Sequence, residues 1–325
     1  MTDYLYATGR LRALEKALIG NDRLMMLLDT KTEAELNERL RECGLESTDG
    51  DWEAVLSSRL GQAYAEVREL CGSDAALRLW LAPYDCNNVK AAMKGFVRGI
   101  DPHSMMVDFG SVSEKNVIDM VEKNDYSALS PAMREAAPRA MKEYSKTKNP
   151  QVIDLIMDAA CYADMLSDAK ESKVALVLKL VQIKIDLTNL LTCVRIIRMK
   201  SGEIGKMLFR DAWIKGGTLS YETVKTYFEG GEALLWEELR HTDYEALAVS
   251  AGRADATLTD VERETDNFLM DAVRTVKYLS FGPEIAVAYL LAYEYEVRNL
   301  RIVIAGKRAG LNAKVIRERI RRSYV

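Results

Sequence analysis

The sequence lacks the short motifs that usually mark a nucleotide-, cofactor- or metal-binding enzyme. It has no GxxxxGK(S/T) phosphate loop, no GxGxxG dinucleotide fingerprint and no GxSxG nucleophile elbow. It has no CxxC pair and no HExxH helix, so a zinc site has no recognisable ligands. The only histidines, His103 and His241, stand in no metal-ligand or triad spacing. We therefore expect no catalytic residue, metal, cofactor or small-molecule substrate.

Proline, cysteine and long apolar runs are also scarce. Six prolines in 325 residues permit long helices, because an internal proline breaks or kinks a helix. The five cysteines are odd in number and widely spaced, which favours reduced thiols over a disulfide framework. The longest apolar run, IAVAYLLAY at 285–293, is about half the length that spans a bilayer, and charges interrupt any N-terminal signal sequence. We expect a cytoplasmic chain without a transmembrane helix.

Charge is nearly balanced except at the C-terminal end. The formal net charge is −4, which gives no indication of nucleic-acid binding. Residues 307–325, by contrast, contain seven Lys or Arg and a single Glu. This segment is interpreted as a solvated basic helix, with a docking surface for an acidic protein as the alternative.

An acidic residue followed three positions later by Asn occurs three times, each time inside an apolar pattern of helical period. The segments are YDCNNVKAAMK, IDLTNLLTCVR and YEVRNLRIVIA, and the pairs are Asp85 with Asn88, Asp186 with Asn189, and Glu296 with Asn299. Residues three apart share a helix face, and a buried Asn must find hydrogen-bond partners. We interpret each pair as a structural tie between its helix and the loops of its own unit. Direct contact with a partner is the alternative.

Other markers recur in the same order along the chain. GSVSEKNV (110–117) resembles GTLSYETV (217–224), and TKTEAEL (30–36) is a third helix start with a capping box formed by Thr32 and Glu35. Two further matches are NDYSAL (124–129) with TDYEAL (242–247), and LIMDA (155–159) with FLMDA (268–272). The sequence thus predicts an all-α fold of three similar helical bundles with a pseudo-threefold arrangement. The predicted repeats are 1–109, 110–216 and 217–325, and the N-terminal helix could also pack with the third.

Short apolar strips lie between the Asn helices and the helix starts that follow. Connecting segments normally run over the surface and are polar, so these strips need a reason. They either tuck back into the core or form an exposed rim for a partner, because Met suits both irregular cores and adaptable interfaces. The candidate contact residues are Met25, Met26, Met105, Met106, Phe109, Met207, Leu208 and Phe209.

Taken together, these segments resemble a known family. The start YLYATGRLRALE (4–15), the three acid-x-x-Asn helices and the ending YEVRNLRIVIAGKRAGL (295–311) resemble the C subunit of V-type and archaeal-type rotary ATPases, whose eukaryotic relative is the d subunit. The resemblance covers essentially the whole chain. The last motif is its most specific part, and the first repeat is the most diverged.

The resemblance implies a funnel of three helical domains that couples two parts of a rotary machine. Such a protein sits on the membrane proteolipid ring and receives the central stalk made by subunits D and F. It binds no nucleotide, has no catalytic residues and associates peripherally with the membrane through the ring. The apolar strips would then contact the ring. Two other classes remain open from the residues alone: a helical adaptor outside any rotary complex, and a helical enzyme with a site spread across bundles. The coupling ion, proton or sodium, is not encoded here.

Overall fold

Helices form nearly all of the regular structure. The computed structural model describes residues 4–72, 75–107, 110–200 and 202–325, and none of these residues lies in a β-strand. The predicted all-α class is therefore confirmed. The chain divides into two compact units. Unit 1 comprises Met1–Gly72 with Glu229–Val325, and unit 2 comprises Ser73–Phe228.

The α-helices of the described residues are, in chain order, α1 (Tyr4–Leu14), α2 (Asn21–Asp29), α3 (Glu33–Glu42), α4 (Trp52–Cys71), α5 (Ala75–Arg78), α6 (Ala82–Arg98), α7 (Glu114–Lys123), α8 (Pro131–Thr147), α9 (Gln151–Ser172), α10 (Ala175–Met199), α11 (Gly202–Ala212), α12 (Tyr221–Gly230), α13 (Glu232–Leu239), α14 (Glu245–Ala251), α15 (Leu258–Arg274), α16 (Pro283–Arg308) and α17 (Ala313–Arg317). Short 3₁₀ segments lie at Glu15–Ala17, His103–Met105 and Thr275–Tyr278.

Unit 1 is built around α16. The apolar run 285–293 is buried throughout, because α4, α1 and α2 all pack against this helix. Two buried tyrosines also join α4 to α16: the Tyr64 hydroxyl donates to Glu294 at 2.6 Å, and the Tyr289 hydroxyl donates to Glu66 at 2.7 Å. Across the described residues, no helix combines the length and the apolarity that crossing a bilayer requires.

Unit 2 is built around α9, which packs against α5, α6, α8 and α10. Salt bridges on the surface join α6 to α9, with Lys90 Nζ 2.6 Å from an Asp158 oxygen and Lys94 Nζ 2.5 Å from an Asp154 oxygen. Pro83 lies in the first turn of α6, where its missing N–H costs no helical hydrogen bond. The proline therefore begins this helix rather than kinking it.

The boundaries of the two units differ from the predicted repeat boundaries. The units change after residues 72 and 228, whereas the repeats are predicted to change after residues 109 and 216. Units reflect packing and repeats reflect sequence similarity, so the two divisions describe different properties. The three-domain pseudo-threefold arrangement stays a prediction.

The basic C-terminal segment is not one continuous helix. After α17 the chain is irregular, and its arginines meet carboxylates of α15. Arg321 Nε lies 3.0 Å from an Asp266 oxygen, and Arg322 forms an ion pair with Asp271. The expectation of a solvated basic helix is corrected, because sequence position alone did not reveal these partners on a distant helix.

Candidate functional site

The three Asn residues of the repeated motif make the same backbone contact. Each amide donates from Nδ2 to the carbonyl of one residue and accepts, through Oδ1, the N–H of that same residue. All six distances are 2.8 or 2.9 Å. The pairs are Asn88 with Val107, Asn189 with Ile214, and Asn299 with Arg321. Each Asn therefore holds the backbone of a segment 19 to 25 residues further along the chain.

The two Asp residues of the motif bind the next segment along. Asp186 accepts the backbone N–H and the hydroxyl of Thr218, both at 2.7 Å, and the N–H of Leu219 at 3.2 Å. Asp85 accepts the Ser111 hydroxyl and the Val112 N–H. These partners belong to the GTLS and GSVS markers, so the marker and the acid-x-x-Asn pair form one structural element. We call each acid, its Asn and their partners an acid–Asn clamp.

A glycine begins the marker in both of these clamps because the carboxylate lies against it. A Cβ added at Gly217 would overlap the carboxylate of Asp186, and one added at Gly110 would overlap an oxygen of Asp85. Neither glycine has a positive φ. Space, rather than backbone conformation, therefore requires glycine at these two positions.

The third clamp uses a different set of partners. Glu296 accepts the backbone N–H of Ile19, and its Oε1 lies 2.5 Å from Nε of Arg59. Both side chains of this ion pair are largely buried. Burial raises the pKa of Glu296, and the positive charge of Arg59 opposes that rise. In the first clamp burial likewise raises the pKa of Asp85, against the hydrogen bond from Ser111.

All six motif residues are buried, and their described partners lie within the chain. A partner protein could not reach them without opening the clamps. This placement supports a scaffolding role, which stays a prediction until a variant is measured.

The helix starts of the repeated marker differ in detail. Thr32 Oγ1 accepts the N–H of Glu35 at 3.2 Å, as predicted, but the Glu35 carboxylate accepts the N–H of Lys31. In a capping box the Glu35 carboxylate would accept the N–H of Thr32 itself, so its bond is displaced by one residue toward the N-terminus. Ser220 Oγ accepts the N–H three residues on, at 3.1 Å, whereas the Ser113 side chain makes no capping bond.

The apolar strips each leave one Met at the surface. The exposed fractions are 50% for Met26, 45% for Met105 and 57% for Met207. Met25 and Leu208 are half-buried. These residues are the part of the strips that lies at or near the surface.

Other strip residues are not available at the surface. Met106 is buried, and the buried Phe209 ring stacks on Phe228 with a centroid distance of 4.8 Å and packs edge-on to Trp213 at 5.6 Å. Phe109 lies outside the described residues.

A cleft of about 550 Å³ opens in unit 2 among α6, α9, α10 and α11. Its charged lining consists of Lys90, Asp158, Lys184 and Arg195. The one carboxylate, Asp158, forms a salt bridge with Lys90. A second carboxylate that could act with it as acid and base does not line this cleft. Nowhere in the described ranges do three or more His, Cys, Asp or Glu gather as a metal site.

The sequence interpretation missed some structural polar residues. Asp164 on α9 caps α8 by accepting the N–H groups of Ala132 and Met133, at 2.8 and 3.0 Å. Asn267 on α15 accepts the N–H of Arg322 at 2.7 Å. Ser130 followed by Pro131 is a pattern typical of a helix start. Nothing in the sequence indicated that the cap would come from a residue over thirty positions away.

The sequence matches one protein family over almost the whole chain. The family of ATP synthase (C/AC39) subunits matches residues 7–319. This chain belongs to that family. The match confirms the resemblance seen in the acid-x-x-Asn helices and in the C-terminal motif.

Members of the C/AC39 family with similar sequences come from bacteria and archaea. The C subunit of the V-type sodium ATPase of Enterococcus hirae is 24% identical and aligns over 97% of each chain. The C subunit of the A-type ATP synthase of Methanosarcina acetivorans is 24% identical, over 98% of this chain and 93% of its own. The corresponding protein of Thermococcus onnurineus is 24% identical, over 93% of this chain and 86% of its own.

Proposed function

We propose that this chain is a non-catalytic coupling subunit of a rotary ATPase. It acts as a socket between the membrane proteolipid ring and the central shaft formed by subunits D and F. Ion transport is thereby coupled to ATP synthesis or hydrolysis elsewhere in the complex. The observation that carries the proposal is the family match over residues 7–319.

The clamps support this proposal because a subunit that transmits torque must resist deformation. Each clamp fixes a connecting segment to a buried helix through bonds to its backbone. Such segments are otherwise the most mobile parts of a helical protein. Dense helix packing with tied connections supplies the stiffness that a coupler needs.

The surface of the strips supports the ring contact. Met26, Met105 and Met207 are exposed, and Met is flexible enough to fit several non-identical neighbours. A ring contact would hold the chain at the membrane peripherally, through an integral partner.

Affinity purification from the native membrane tests the proposal. The tagged chain is isolated in a mild detergent, and the proteolipid and subunits D and F are quantified by mass spectrometry. We expect all three in fixed ratios to the chain. Recovery of other proteins without the proteolipid, in repeated preparations, would instead identify a helical adaptor outside a rotary complex.

A further inference from the structure

A short loop of unit 1 presents aromatic and apolar side chains to solvent. It consists of residues 277–281, Lys-Tyr-Leu-Ser-Phe, which begin at the end of the 3₁₀ segment Thr275–Tyr278 and precede α16, and we call it the aromatic loop. Tyr278 is 90% exposed and Phe281 is 66% exposed, with Leu279 also exposed between them. Single exposed apolar residues are common, but three within four positions call for an explanation.

The aromatic loop is held in place rather than loosely attached. The Arg12 guanidinium donates to the carbonyls of Val276 and Leu279, at 2.8 and 3.2 Å. The Leu279 N–H donates to the Val276 carbonyl at 3.0 Å, and the Val276 side chain is fully buried. The backbone is therefore fixed while the side chains of the loop point away from the core.

Positive charge surrounds the base of the aromatic loop. Lys277 is its first residue, Arg274 precedes it by three positions, and Arg12 contacts its backbone directly. Burial, followed by the charges of Arg274 and Arg12, lowers the pKa of Lys277, while Glu15 acts in the opposite direction. Glu15 and Glu284 are the acidic groups nearby, and Glu15 is paired with Arg12.

Aromatic tips beside cations match the chemistry of a membrane interface. Tyr and Phe rings favour the boundary between headgroups and acyl chains, and nearby Lys and Arg are attracted to anionic headgroups. Aromatic residues and Arg are also enriched at protein interfaces, so a protein partner is kept as one outcome of the test. We propose that the aromatic loop inserts into the interface of an anionic lipid bilayer and gives this chain a direct contact with the membrane. The inference is independent of the proposed ring contact, since it requires no other protein.

Vesicle binding by the purified full-length chain tests this inference. Sedimentation is measured with vesicles of phosphatidylglycerol and phosphatidylcholine in equal amounts, and with phosphatidylcholine alone. We expect the wild-type chain to bind the anionic vesicles, and the double variant Tyr278→Ser with Phe281→Ser to bind about tenfold or more weakly, because two apolar side chains no longer enter the bilayer. Lys277→Gln should bind about fivefold more weakly at low salt.

The matched control is Val249→Ser with Val315→Ser, which removes two exposed apolar side chains elsewhere in unit 1. This control should bind like the wild type, and circular dichroism should show all variants folded. Should the double variant unfold, the Lys277→Gln result and its salt dependence decide alone. Absence of wild-type binding, or equal binding by wild type and loop variants, would overturn the inference. So would loss of a copurifying protein in the loop variants without any change in vesicle binding.

Discussion

The carboxylate of Asp186 lies directly against the backbone of Gly217, in the space that a Cβ would occupy. The same carboxylate accepts hydrogen bonds from the two residues that follow this glycine. Asp85 and Gly110 repeat the relationship. A helix and a loop further along the chain are thus joined by a contact that depends on the smallest residue as much as on the charged one.

Gly217→Ala should destabilise the protein. The added methyl group overlaps a buried carboxylate, so the clamp must open slightly, at a cost of about 1–3 kcal/mol in the free energy of unfolding. Urea denaturation followed by circular dichroism measures the change. The control is Gly9→Ala on α1, where a Cβ meets nothing within 4 Å and Ala favours the helix. Equal stability of the two variants would refute the steric argument.

Asn189→Ala should also act through stability. It leaves the N–H and carbonyl of the buried Ile214 without their partner, which costs about 1–3 kcal/mol. Thermal melting of the purified variant provides the measurement. Asn87→Ala is the control, because this amide, next to Asn88 of the first clamp, is exposed and makes one bond, to the Met105 carbonyl. An unchanged melting temperature together with lost binding of the stalk proteins would show that Asn189 acts at a partner interface and not in the scaffold.

The clamp of Asp85 should give stability a specific pH dependence. Burial raises the pKa of Asp85 above its ordinary value of 3.8, so the folded state holds the proton more tightly than the unfolded state does. The contribution of this carboxyl is most favourable below 3.8 and declines as pH rises through the folded-state pKa.

Asp85→Asn removes this titration. Relative to the variant, the wild type should therefore lose unfolding free energy as the pH is raised from mildly acidic to neutral. Denaturant titrations of both proteins across this range test the sign. Asp255→Asn, at a side chain that is 89% exposed, serves as the control for the loss of one surface carboxylate. A wild type that gains stability relative to Asp85→Asn as pH rises would contradict the expected direction.

Met105→Ser with Met207→Ser should weaken attachment to the ring and leave the isolated chain folded. Both side chains are exposed, so removing them creates no cavity. The measurement is the amount of proteolipid that copurifies with the tagged variant. Met106→Ser is the informative contrast, because this side chain is buried and its loss should lower the melting temperature instead. Retention of the ring at wild-type levels by the double variant would remove these residues from the proposed contact.

The purified chain should bind no nucleotide. It lacks the phosphate-binding loop that cradles the phosphates of a nucleotide. Isothermal titration calorimetry with ATP and Mg²⁺ should give no heat of binding beyond dilution. Saturable binding of ATP at one site per chain would contradict this prediction and would favour an enzymatic function.

Local patterns were enough to predict several features from the sequence. Helical periodicity and scarce proline indicated the all-α class, because both act within a few turns of chain. The recurrence of an acid and an Asn three residues apart marked the positions of all three clamps. These segments also resembled the C subunit of rotary ATPases, and the match of residues 7–319 to the C/AC39 family confirmed that resemblance.

Only the tertiary structure decided which partners these residues have. The Asn189 amide meets Ile214 and the Glu296 carboxylate meets Arg59 because the chain folds back over long separations, which no local pattern encodes. For the same reason, no pattern around Gly217 revealed that a glycine is needed there to leave room for the Asp186 carboxylate. Burial of a side chain depends on which distant parts of the chain pack against it. Met105 is therefore exposed and Met106 buried, although the two are adjacent in the chain.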